Sequence, residues 1–130
     1  MKYKILIVLA KFYDDLSKNL ILGAKKKLKG KANIKIIEVP GSFEIPVVIS
    51  KNIKKYDGFV ALGSIIKGET PHFDFISQSS INAIMQLSIN SKKPIGNGII
   101  TTLNKKQAKI RSLTKGKEAA QAVLSVLDNF

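Results

Sequence analysis

The chain has 130 residues, with 22 Lys and Arg against nine Asp and Glu, one His and no Cys, giving a formal charge of +13. One domain of that length can bury its own core. The missing thiols exclude disulfides, thiolate metal sites, iron–sulfur clusters and a Cys nucleophile.

The elements follow in chain order. The opening, MKYKILIVLAK, reaches Lys11 after a short apolar stretch, with no small-residue cleavage site behind it. It therefore reads as a strand over residues 4–10, not as a signal peptide. No apolar run is long enough to span a bilayer, so a soluble cytoplasmic protein is expected. Leu16, Leu20, Ile21, Ala24 and Leu28 recur at helical spacing, with Asp14 or Asp15 as N-cap and Gly30 as the stop. Residues 33–39 are β-branched and predict a second strand. A turn at Pro40-Gly41-Ser42 leads into a helix over 43–53, with Pro46 in its first turn. Residues 57–63 predict a third strand and 64–69 a loop. Thr70-Pro71 supplies a helix cap and first residue, with His72 at the second helical position, and that helix runs to Ser91. Residues 94–100 predict a fourth strand, and 104–111 and 115–128 two last helices.

Continuous apolar strands alternating with helices specify a parallel sheet covered on both faces. The expected fold class is α/β: a three-layer αβα sandwich around a flavodoxin-like four-stranded parallel sheet, order 2-1-3-4, formed by residues 1–130 as one domain. Ligands of such sheets bind beyond the carboxyl ends of the strands, at the switch point between strands 1 and 3. That nominates the segments 11–14, 39–44 and 64–72, with 101–104 beside them.

The first offers Phe12 and Tyr13, aromatic lids on a helix or platforms for a planar heterocycle. In the second, Glu44 is favoured at a helix start by the macrodipole, and can also accept hydrogen bonds from a polyol beside Ser42. The third, Gly63-Ser64-Ile65-Ile66-Lys67-Gly68-Glu69-Thr70-Pro71-His72, combines glycines, a helix start, a cation and an imidazole. These are the parts of an anion nest with a titratable group beside it. It lacks the spacing of a Walker loop.

The charge admits two readings. One is a polyanionic partner. The other is a general drift of the surface toward Lys, since only Arg111 among the 22 cations is Arg and the aromatics, at 7%, do not interleave with the basic runs. Against such a background Arg111 marks a place where a planar fork is needed, or it is a chance survivor. His72 is open to the same two readings.

The runs Val39-Pro40-Gly41-Ser42-Phe43-Glu44-Ile45-Pro46 and Ala61-Leu62-Gly63-Ser64-Ile65-Ile66-Lys67-Gly68-Glu69-Thr70-Pro71-His72-Phe73-Asp74 resemble the 6,7-dimethyl-8-ribityllumazine synthase family of riboflavin biosynthesis. Pro94-Ile95-Gly96-Asn97-Gly98-Ile99-Ile100-Thr101-Thr102 and Gln107-Ala108 with Arg111 continue the match across nearly the whole chain. The resemblance implies a condensation without cofactor or metal. A ribitylaminopyrimidinedione joins 3,4-dihydroxy-2-butanone 4-phosphate, and phosphate and water leave. It implies that Phe12 stacks on the pyrimidine, that Ser42, Phe43 and Glu44 hold the ribityl chain, and that Ile65 and Ile66 meet the pyrimidine by backbone. Gly68, Glu69 and Thr70 would donate amides to the phosphate, Arg111 would grip it, and His72 would move protons. It also implies a homo-oligomer, a pentamer, whose sites lie at subunit interfaces, with Asn97, Arg111 and Lys115 supplied by the neighbour. The implied partners are small-molecule substrates, with no specific nucleic acid and no membrane.

Several positions depart from the family pattern. Lys67 stands where the family often has Arg, Asn97 where many members have Phe, and Tyr13 where Asn is common. Residues 112–115 form a shorter connection than expected. The helix over 71–91 is apolar around most of its circumference, which also points to a second burial surface supplied by another subunit. Two other functions compete: a flavin- or nucleotide-binding module at the same switch point, and a basic nucleic-acid-binding protein.

Overall fold

The computed structural model describes residues 2–11, 13–68 and 72–130, the side chain of His72 excepted. Strand β1 (Tyr3–Ala10) is followed by helix α1 (Asp14–Leu28) and strand β2 (Ala32–Val39). A 3-10 turn, Ser42–Glu44, then leads into α2 (Ile45–Lys51). Strand β3 (Gly58–Ile66), helix α3 (His72–Ser91), strand β4 (Ile95–Thr102) and helix α4 (Lys105–Asn129) complete the order. All strand pairs are parallel, in the order β2-β1-β3-β4. This is the three-layer α/β architecture that the alternating apolar runs specify.

Each strand turns alternate residues to opposite layers. Ile5, Ile7, Leu9, Val60, Leu62 and Ile100 face α1 and α4, while Leu6, Val8, Ala10, Phe59, Ala61 and Ile99 face α2 and α3. Burial of each Ile, Leu, Val or Phe among them contributes about 1.5–3 kcal/mol. The central strands are therefore fixed from both sides.

The structure corrects several expected boundaries. Ser64, Ile65 and Ile66 continue β3 instead of opening a loop, because they pair with Ile100, Thr101 and Thr102 of a β4 that itself runs on to Thr102. The expected helix over 43–53 divides into the 3-10 turn and the shorter α2. The N-cap of α1 is Tyr13, and Asp14 and Asp15 lie inside its first turn, where they still complement the dipole. Thr70 and Pro71, expected to start α3, lie outside the described residues.

The two expected last helices are one. Residues 112–115 stay helical, with Ser112 buried at the contact with α1, where Asn19 donates to its hydroxyl at 3.0 Å. Gly116 is not a break but a contact. A methyl there would collide with the Leu20 carbonyl oxygen, so the two helix backbones touch. At Gly96 the same holds for β4 against the Ala119 carbonyl of α4. Far from these contacts, the Tyr3 hydroxyl donates to Asp128 at 2.6 Å, tying the start of β1 to the end of α4. That bond raises the phenol pKa above its usual 10.0.

Candidate active site

The carboxyl ends of β1, β2 and β3 converge as the sheet order requires. Gly63 lets them do so: a side chain there would stand 2.8 Å from the Ser42 hydroxyl and 3.2 Å from the Ala10 methyl. The turn after β2 is pinned by Glu44 N–H donating to the Gly41 carbonyl at 3.1 Å, and by the buried Ser80 of α3, whose hydroxyl donates to the Ser42 carbonyl at 3.5 Å. Beyond β3, Lys67 N–H donates to the Thr102 carbonyl at 2.9 Å, so the chain leaves its strand along the end of β4.

These contacts leave a cleft of about 670 Å³ at the switch point between β1 and β3. That volume suits a small molecule. Tyr13 forms one wall, Ser42, Phe43 and Glu44 another, and Ser64, Ile65, Ile66 and Gly68 the floor, with Phe73 and Ile76 of α3 closing the side. Apolar walls around a few polar groups suit a heterocycle carrying hydroxyls. Phe43 leaves 62% of its surface open at the rim, and the Ser64 hydroxyl is buried without a hydrogen-bond partner among the described residues. Such an orphan donor is costly unless a ligand or water answers it.

A second cleft, of about 400 Å³, lies on the other side of Phe73. Thr101, Thr102, Leu103, Gln107, Ile110 and Arg111 complete it. The start of α4 is fixed there by a reciprocal cap. Gln107 N–H donates to Asn104 Oδ1 at 2.9 Å, and Leu103 N–H donates to Gln107 Oε1 at 3.0 Å. Arg111 follows one turn later, on a helix that also carries Lys105, Lys106, Lys109, Lys115 and Lys117. This wall favours an anion.

Ser42, Phe43, Glu44, Ile65, Ile66 and Gly68 thus share the first cleft, and Arg111 opens into the second. Asn97 and Lys115 line neither. Asn97 is exposed on the edge strand β4, on the face shared with Ile95 and Ile99, and its Oδ1 accepts the Ile99 N–H at 3.1 Å. Lys115 is half-buried in the middle of α4. Phe12, Glu69 and Thr70 lie outside the described residues. His72 begins the described α3, directly before the wall residue Phe73. Among the described residues no group of three or more His, Asp or Glu side chains gathers to hold a metal ion.

Sequence reasoning left Tyr13 between packing and binding and gave no role to Phe73, Ile76 or Ser80. Phe73 follows the motif histidine, a position that could have flagged it. Ser80 carries no local signal, because its partner is 38 residues away.

Comparison with known proteins gives one consistent family. The model of a family described as 6,7-dimethyl-8-ribityllumazine synthase matches residues 2–130. A 6,7-dimethyl-8-ribityllumazine synthase of Bartonella henselae is 46% identical over 97% of this chain and 87% of its own length. One of Agrobacterium fabrum is 43% identical over 98% and 94%. A third, from Leuconostoc mesenteroides, is 42% identical over 96% and 85%.

Proposed function

Because this chain belongs to the 6,7-dimethyl-8-ribityllumazine synthase family, we propose a division of labour among its residues for the condensation that the family carries out in riboflavin biosynthesis. The reaction joins 5-amino-6-(ribitylamino)pyrimidinedione to 3,4-dihydroxy-2-butanone 4-phosphate and releases phosphate and water. The observation that carries the assignment is the single cleft in which Ser42, Phe43, Glu44, Ile65, Ile66 and Gly68 meet.

The pyrimidinedione lies in that cleft against the backbone of Ile65 and Ile66, with Phe12 stacked on its ring. Its ribityl chain runs along Ser42, Phe43 and Glu44, where a carboxylate and backbone groups answer the hydroxyls. Amides at Gly68, Glu69 and Thr70 hold the phosphate of the second substrate, and the Arg111 guanidinium grips it through two parallel bonds. The primary amine attacks the butanone carbonyl, water leaves as the imine forms, elimination expels phosphate, and attack of the ribitylamino nitrogen on the remaining carbonyl closes the ring with loss of a second water. His72 carries protons in these steps, a role worth roughly 10²–10⁴ in rate. Both substrates are intrinsically reactive, so their fixed mutual orientation supplies much of the remainder.

Residues 1–130 act as one domain within a closed homo-oligomer, a pentamer, in the cytoplasm. Two observations favour a site shared between subunits. Arg111 sits beyond Phe73 in a separate cleft, and Asn97 and Lys115 line neither cleft. In addition, α3 exposes Phe75, Met85 and Ile89 by 67%, 59% and 63%, a face that another subunit would cover. No described helix is long and apolar enough to cross a membrane.

Mixing the two substrates with the protein and following lumazine absorbance tests the assignment. Lumazine forms, and His72→Ala lowers kcat tenfold or more with little change in melting temperature. Full turnover by His72→Ala, or a large loss of stability with normal turnover, returns the imidazole to a structural role.

A further inference from the structure

One wall residue of the first cleft has a neighbour that the family motifs do not account for. Tyr13 lines the cleft, and the ammonium of Lys105 stands over its ring, 4.8 Å from the centroid. The partners come from opposite ends of the chain, the start of α1 and the start of α4.

Both ends of the contact are anchored. The Tyr13 carbonyl accepts the Ser17 N–H at 2.9 Å, which fixes its backbone as the cap of α1. Its ring packs, partly buried, against the core between the sheet and the α1–α4 layer. Lys105 follows Asn104, whose side chain and carbonyl are both engaged. Asn104 Oδ1 accepts Gln107 N–H, and its carbonyl accepts the Thr102 hydroxyl at 3.1 Å. The lysine therefore springs from a stiff backbone, which lowers the entropic cost of holding it over the ring.

We propose that Lys105 is a positioning residue for the known reaction: through its cation–π contact it sets the plane of the Tyr13 ring, which serves as a specificity-determining wall for the pyrimidinedione. The inference rests on the placement of that substrate in the first cleft. An ammonium over one face of the phenol ring polarises it and holds it against rotation. The ring then presents a fixed wall to the dione. Without the ammonium, this part of the restraint on the ring is lost, and the dione must supply it on binding.

Cation–π contacts at exposed sites are modest, so the expected changes are about two- to fivefold. The probe is the pyrimidinedione lacking its 5-amino group, which cannot condense, titrated calorimetrically against the assembled protein. Lys105→Met weakens its binding about two- to fivefold and raises KM for the pyrimidinedione alike, while Lys105→Arg restores both. In a Tyr13→Leu background, Lys105→Met adds no further loss, since the two residues act as a unit. Unchanged probe affinity in Lys105→Met overturns the proposal. So does a rise confined to KM for the butanone phosphate, which would make Lys105 a phosphate cation. So does an undiminished effect without Tyr13. Absence of lumazine from the unaltered protein would instead defeat the assigned reaction, and the two failures are thereby distinct.

Discussion

The two longest helices lie on opposite faces of one sheet and present opposite surfaces. In its 20 residues α3 has no lysine or arginine, in a chain that has 22 of them, and turns Phe75, Ile81, Met85 and Ile89 outward. The 25 residues of α4 include six cations, and its contact side is built of Ser112, Gly116, Ala119 and Ala120. A drift toward lysine acting on composition alone would have marked both helices. Its absence from α3 fits the proposal that the exposed side of that helix meets another subunit. On α4 the constraint lies inward instead, where side chains are small enough for backbone to touch backbone. The basic charge of the protein is therefore unevenly divided between its two longest helices, and weak evidence for a polyanionic partner of the whole.

The largest expected effect breaks this comparison on the α3 side. Met85→Lys places on α3 the charge that α4 tolerates freely, and the assembly should fall to smaller species in light scattering. Gln121→Lys, the same change on the exposed side of α4, should leave the assembled mass as it was. An intact assembly in Met85→Lys would remove the claim that α3 faces a subunit.

Next comes the contact side of α4. By helix propensity alone, Gly116→Ala should stabilise the protein by about 1 kcal/mol. The collision with the Leu20 carbonyl should win, because neither helix backbone yields as a side chain would, and the net change should be a loss of up to about 3 kcal/mol. Urea unfolding gives the sign directly. A more stable variant would mean that the α1–α4 contact is looser than the geometry implies.

The smallest effect concerns the one cation of α4 that is not lysine. Arg111→Lys keeps the charge but loses the planar fork, so KM for the butanone phosphate should rise about tenfold. An unchanged KM would make Arg111 one more of the surface cations of α4.

Much of this was legible beforehand, and the failures have a common cause. Apolar runs such as residues 4–10 announced the strands. The end of β3 was missed because the Ser64–Ile66 strand signal depends on a partner, β4, that itself runs further than its apolar core. The continuity of α4 was missed because Ser-Leu-Thr-Lys-Gly reads locally as a linker, whereas Gly116 answers to a residue almost a hundred positions earlier. The site motifs were visible as loops. Their division between two clefts by Phe73 was not, since only the packed helix puts a wall there. Likewise, no local pattern joins Lys105 to Tyr13.

The unbroken course of α4 has a mechanical consequence. Twenty-five residues make a rod about 37 Å long, secured near its middle by the Gly116 contact and at its far end by Asp128. It has no joint at which Arg111 could swing while the rest stayed put. For any anion that Arg111 meets, its backbone is already in place, and the ordering of that stretch of chain was completed at folding and not at each encounter. Stiffness at one end of the molecule is thus a form of stored affinity at the other.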